Sequence, residues 1–142
     1  MTTRDDIVAE ALTWRGTPYR HQASLKGVGC DCLGLVRGVW RALHGAEPET
    51  PPPYAPDWAE ADGRDSLTEA AARHLVAVDP ATMAPGDVLL FRWAAGLPAR
   101  HAGILIRPGR FLHAHDGARV AEAPLGRWWR DRLAGVFRFP GV

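Results

Sequence analysis

Cysteine is scarce, and its two copies, Cys30 and Cys32, stand one residue apart. A bridge between them would close no useful loop, so a disulfide framework is excluded. No run of about 18 apolar residues occurs, which excludes a transmembrane helix and membrane insertion by one. The stretch Met1 to Asp6 is polar and acidic, with neither a basic start nor an apolar segment, so no secretory signal is expected. Synthesis in the cytoplasm follows as an expectation, and activity outside the cell then needs another delivery route. Neither sign of charge dominates, with 17 basic against 16 acidic residues. Nucleic acid binding, which draws on a basic patch or stripe, is therefore not expected. Lysine is almost missing, with Lys26 alone among the arginines, a bias that reads as genomic base composition. There is no internal repeat.

What is present describes a globular chain. Apolar residues make up 46% and charged residues 23% of 142 positions, enough for one domain over residues 1–142. Such a domain buries roughly 68–70% of its unfolded surface and needs no metal staple. A first helix is predicted over Thr3 to Trp14, with Ile7, Val8, Ala11 and Leu12 on one face and Asp5 and Asp6 in the first turn. A second is predicted over Cys32 to His44. Asp31 is its N-cap, Val36, Val39, Trp40 and Leu43 continue the stripe from Cys32, and Gly45 stops it. The proline-rich run Glu47 to Trp58 reads as an extended surface loop that could wall a cleft. The spacing S-x-x-E from Ser66 to Glu69 predicts a capping box and a third helix from Leu67 to about Leu75.

The character then changes. Asp87–Arg92, His101–Ile106, Arg110–His115, Ala118–Glu122 and Ala134–Phe139 read as short strands divided by turn residues. Helices followed by a meander of strands predict an α+β fold with an antiparallel sheet.

Cys32 falls in the first turn of the second helix, where free N–H groups and the helix dipole favour thiolate over thiol. Asp31 beside it opposes ionisation, less so if its charge is engaged as the cap. A thiolate nucleophile needs a base and a group that orients the base. With a three-residue turn at Arg107-Pro108-Gly109 and Gly109 in the left-handed conformation, His101, His113 and His115 project from one face of the hairpin. A two-residue turn would separate His101 from His113. Either His113 or His115 could orient His101. A zinc set of Cys30, Cys32, His113 and His115 is the competing arrangement. One residue between its cysteines is tight for such a site, and no metal or cofactor is expected.

These segments also carry a resemblance. G-T-P-Y at Gly16 to Tyr19, D-C-L-G-L-V at Asp31 to Val36, P-G-D-V-L-L-F at Pro85 to Phe91, H-A-G-I-L-I at His101 to Ile106 and F-L-H-A-H at Phe111 to His115 occur in the order of the NlpC-type cell-wall cysteine peptidases. The chain resembles that family over nearly its whole length. R-H-Q-A-S-L-K-G-V-G-C-D-C-L-G-L-V-R-G-V-W at Arg20 to Trp40 and R-W-W-R-D-R-L-A-G-V-F-R-F-P near the C-terminus are similar to the branch found in phage tails and gene transfer agents. The resemblance implies a minimal papain-like fold, with N-terminal helices on a five- to six-stranded sheet. It implies Cys32 as nucleophile, His101 as base, His113 as its orienting partner, and Tyr19 near the scissile carbonyl. The substrate implied is a peptidoglycan stem peptide, often cut between γ-D-glutamate and the diamino acid. The partner implied is a tail-tip or baseplate hub protein, and the site of action is the periplasm or cell wall of a target cell. The family commonly has serine where this chain has Leu33; that serine, with the aspartate at Asp31, helps hold a free amino terminus of the peptide. Two other classes remain beside the peptidase: a tail-tip adaptor with little turnover, and a cytosolic thiol acyltransferase or amidase.

Overall fold

A computed structural model describes residues 1–51 and 65–142. Most of the proline-rich run falls outside these residues. The first helix, α1 (Arg4–Leu12), is closed by a capping box in which Thr3 and Asp6 exchange side-chain and backbone bonds. A small hairpin follows, β1 (Ser24–Leu25) with β2 (Gly29–Cys30). It leads into α2 (Cys32–His44), bounded by Asp31 and Gly45 as its sequence predicts. Helix α3 (Ser66–His74) is capped by Asp65 and not by Ser66, which is its first helical residue. Asp65 Oδ1 accepts from the N–H of Thr68 and also from that of Ala99, a long-range contact that a local motif does not reveal.

The sheet contains β3 (Val76–Val78), β4 (Val88–Phe91), β5 (His101–Arg107), β6 (Arg110–His113), β7 (Ala121–Pro124) and β8 (Leu133–Arg138). Their order is β3-β8-β4-β5-β6-β7, antiparallel throughout. The expected α+β class with an antiparallel sheet is thus the fold observed. Strand β7 starts later than its sequence suggests. Residues 118–120 bond instead to the G-T-P-Y segment, through Gly16 N to Val120 O, Val120 N to Thr17 O and Tyr19 N to Ala118 O.

Both faces of the sheet are covered, so β4 reads as an unbroken apolar run. Val88 and Leu90 pack with Ile7, Ala11, Leu35 and Val39 of the helices. Leu89 and Phe91 turn the other way, onto Leu105, Phe111 and Val136. That second face is closed by a short helix, α4 (Arg127–Arg130), whose Trp129 lies on it.

Asp87, fully buried before β4, ties the ends of the chain to the sheet. Its carboxylate accepts from Arg4 at 3.0 Å, from Arg138 through two bonds of 3.1 Å, and from the N–H of Ala84 at 2.9 Å. Asp87→Ala is expected to cost about 3 kcal/mol, the low end for a broken buried pair because both arginines keep some access to water. A thermal melt should show a midpoint roughly 10 °C lower. An unchanged midpoint would contradict this role.

Candidate active site

Cys32 opens α2, and the neighbouring hairpin is laid against that helix end. Asp31 Oδ1 accepts the Gly34 N–H at 2.7 Å and Oδ2 accepts the Gln22 N–H at 2.7 Å, while Asp31 N–H reaches Ala23 O at 3.2 Å. Gly34 is required by this packing: a Cβ there would stand 1.9 Å from the Ala23 carbonyl oxygen. The glycine of D-C-L-G therefore admits the loop to the helix end. Leu33 is partly buried against the helix-side core. The N–H groups of Cys32 and Leu33 begin the helix without intrahelical partners, and both favour the Cys32 anion, as does the N–H of Ala102. Ala102 follows His101, so the thiol lies at the start of β5.

The thiol is nevertheless a thiol. Burial, and then the Asp31 carboxylate, push Cys32 up to about 12. The expectation that the helix end would favour thiolate is thus corrected: desolvation outweighs the dipole, and engagement as a cap does not silence Asp31. Cys30 is also pushed to about 12 by burial and Asp31. Tyr19, bridged to Cys30 through its backbone, is raised to about 12 by burial, Asp31 and Cys32, so it is a phenol able to donate at neutral pH. Alkylation of Cys32 by iodoacetamide is expected to rise about tenfold per pH unit from pH 7 to 10, since only the thiolate reacts. A plateau reached near pH 7 would contradict the elevated value.

The histidines converge. His101 Nε2 and His113 Nδ1 are 2.8 Å apart and both side chains are buried. His115 is exposed, with its ring centroid 5.7 Å from those of both His101 and His113. The turn differs from expectation. Arg107 pairs with Arg110, as in a two-residue turn, with Gly109 at φ 74°. A register shift between Leu105 and Arg107 absorbs the difference, so Leu105 pairs with Phe111 and Ile104 with Leu112. The bulge preserves the shared face that a plain two-residue turn would have destroyed. Burial and the two neighbouring histidines hold His101 well below the ordinary histidine range, and burial with His115 lowers His113 to about 4. Both rings are neutral at pH 7. Phe91, Phe111, Trp93 and Trp129 surround them, with Trp93 and Trp129 stacked near His101 at 5.4 and 5.6 Å. Helix α4 is only four residues long and has no periodicity to read, so Trp129 was not legible as a wall of the histidine cluster.

The structure thus gathers Cys32, Asp31 and Tyr19 at one helix end and His101, His113 and His115 at the start of β5. Cys32 packs with the helix-side core, while His101 lies among rings of the opposite face. No hydrogen bond among the described residues joins the thiol to His101. The Cys30, Cys32, His113, His115 set does not form: the histidine trio clusters without either cysteine.

The model of the NlpC/P60 family matches residues 16–138. The chain is 31% identical over 137 residues to a gamma-DL-glutamyl hydrolase of Bacillus subtilis, covering 96% of this chain and 29% of that protein. It is 28% identical over 127 residues to the murein DD-endopeptidase MepS/murein LD-carboxypeptidase of Escherichia coli, covering 89% of this chain and 57% of the relative. This chain therefore spans less than two thirds of the length of either relative. Its fold is similar to that of an NlpC/P60 family protein from Bacillus cereus, with a TM-score of 0.69 and 23% identity over 97% of this chain and 40% of the other.

Proposed function

The chain belongs to the NlpC/P60 family, and from that premise we propose that it is a cysteine peptidase hydrolysing peptide bonds in peptidoglycan stem peptides. The observation that carries the reading is the 2.8 Å bond from His101 Nε2 to His113 Nδ1. With Nε2–H donated to His113, His101 presents its other nitrogen, Nδ1, as the base. His113 orients the ring and stabilises the charge that arises on it.

In this mechanism the thiol and imidazole start neutral. Cys32 Sγ attacks the carbonyl carbon as its proton passes to His101 Nδ1, and the oxyanion accepts hydrogen bonds from the free N–H groups at the start of α2. The Tyr19 phenol is a further donor beside the carbonyl. Collapse gives a thioester on Cys32, and the proton on His101 goes to the departing amine. Water then attacks the thioester with the same base and frees the thiol. The transfer requires Cys32 Sγ and His101 Nδ1 to come within hydrogen-bond reach in the substrate complex, where catalytic hydrogen bonds commonly tighten.

The bond we assign is that between γ-D-glutamate and the diamino acid, a choice that rests on the family resemblance and is in keeping with a relative named for hydrolysis of gamma-glutamyl bonds. Leu33, in place of the usual serine, removes a hydroxyl from the helix end. We assign the protein a place in a phage-like tail or gene transfer agent, held by a tail-tip or baseplate hub protein, where it opens the wall of the target cell. The segments Arg20 to Trp40 and Arg127 to Pro140 support that placement by their resemblance.

The test is digestion of sacculi and defined muropeptides by the reduced protein, read by mass spectrometry. Fragments ending at γ-D-glutamate are expected. Absence of any product across a range of stem peptides would favour the adaptor reading, and copurification with a hub protein would test the tail assignment separately.

A further inference from the structure

We propose that His101, His113 and His115 form a zinc site that switches the peptidase off by taking a nitrogen of its base. Their ligand atoms all lie within 4.8 Å of one another. This is the group of ligating side chains, among the described residues, compact enough to hold a metal ion. The peptidase reading uses two of the three imidazoles and leaves His115 without a task. His115 is the exposed member and supplies an entry path to two buried partners.

The donor set is the right one for zinc. Three imidazole nitrogens with one open position, filled by water, make a tetrahedral site. Zinc–nitrogen bonds of about 2.0–2.1 Å place nitrogen pairs about 3.3 Å apart. The His101–His113 pair stands at 2.8 Å. Opening it by about half an ångström admits the ion between atoms that already face one another. Trp93 and Trp129 pack against the two buried imidazoles, with ring centroids 5.2–5.6 Å away.

The inhibitory effect follows from the tautomer and rests on the assignment of His101 as base. In the active form His101 carries its proton on Nε2 and donates it to His113 Nδ1. Zinc needs lone pairs on both of those atoms. The His101 proton moves through water to Nδ1, His113 keeps its proton on Nε2, and no net proton is released. His101 Nδ1–H then has no lone pair to receive the proton of Cys32. Zinc thus stops the reaction without binding the thiol, and a chelator or a zinc-poor compartment restores it.

The experiment is calorimetric titration of the full chain with zinc chloride, with turnover of a muropeptide followed in parallel. One zinc ion per chain is expected. Cys32→Ala should bind with the parental affinity, and His115→Gln at least tenfold more weakly. Saturating zinc should abolish parental turnover and excess EDTA restore it, whereas His115→Gln should turn over at the parental rate and resist the same zinc concentration. Absence of binding, binding indifferent to His115→Gln, or binding lost in Cys32→Ala would overturn the site. If the parent shows no turnover, the peptidase reading fails, and calorimetry alone decides whether the histidines bind zinc.

Discussion

Replacement of Cys32 by alanine is expected to lower stem-peptide hydrolysis by on the order of 10⁴-fold or more, with the thermal midpoint little changed. The large effect follows from the absence of a substitute nucleophile. Cys30, two residues away, is fully buried, and its backbone is engaged in the small hairpin and in the bridge to Tyr19. The small effect on stability follows from the size of the change: one partly buried sulfur is removed, and Asp31 still caps α2. Hydrolysis of a defined muropeptide, measured beside a melt, checks both halves. Turnover within tenfold of the parent would remove Cys32 from the chemistry.

His101→Gln is expected to reduce turnover on the order of 10³- to 10⁴-fold, because a carboxamide cannot take the thiol's proton. Glutamine is chosen because His101 is packed among Phe91, Trp93 and Trp129, and alanine would leave a hole there. The neighbouring histidines provide the internal comparison. His113→Gln removes the orienting partner but leaves a base, so its loss should be smaller and accompanied by an altered pH profile. His115→Gln should leave turnover in zinc-free buffer at the parental level. Rates from the three variants, each with its pH profile, separate base from orienting group. Equal losses from His113→Gln and His115→Gln would mean that the 2.8 Å bond does not single out His113.

The parts of this molecule that were legible in its sequence are those fixed by local chemistry. Helix α2 was readable to its bounds because a capping aspartate, a stripe at helical spacing and a stopping glycine all lie within one segment. The histidine face was readable because side-chain alternation is a property of any strand, and Gly109 marked the turn. The bulge between Leu105 and Arg107 was not readable, although it is what reconciles a two-residue turn with that face. Hairpin β1–β2, strand β3 and helix α4 are two to four residues long. Elements that short have no periodicity of their own and exist through what they pack against. The cap of α3 passed to Asp65 because Ala99, far along the chain, shares the same carboxylate oxygen. The protonation state of Cys32 was not legible in the sequence for a similar reason. The helix end is local and visible in sequence, while the burial that overrides it arises only when loop, helix and sheet come together.

Cys32 is the reacting group of the proposed mechanism, and the most direct measurement is turnover against its chemical occupancy. The reduced protein would be alkylated in steps at pH 9, the modified cysteine located by peptide mapping, and residual muropeptide hydrolysis measured at each step. Cys30 serves as the built-in control, with a similarly raised pKa and no access to solvent. The expected result is activity that falls in proportion to Cys32 modification while Cys30 stays unmodified. Full modification of Cys32 with hydrolysis intact would contradict its role as nucleophile.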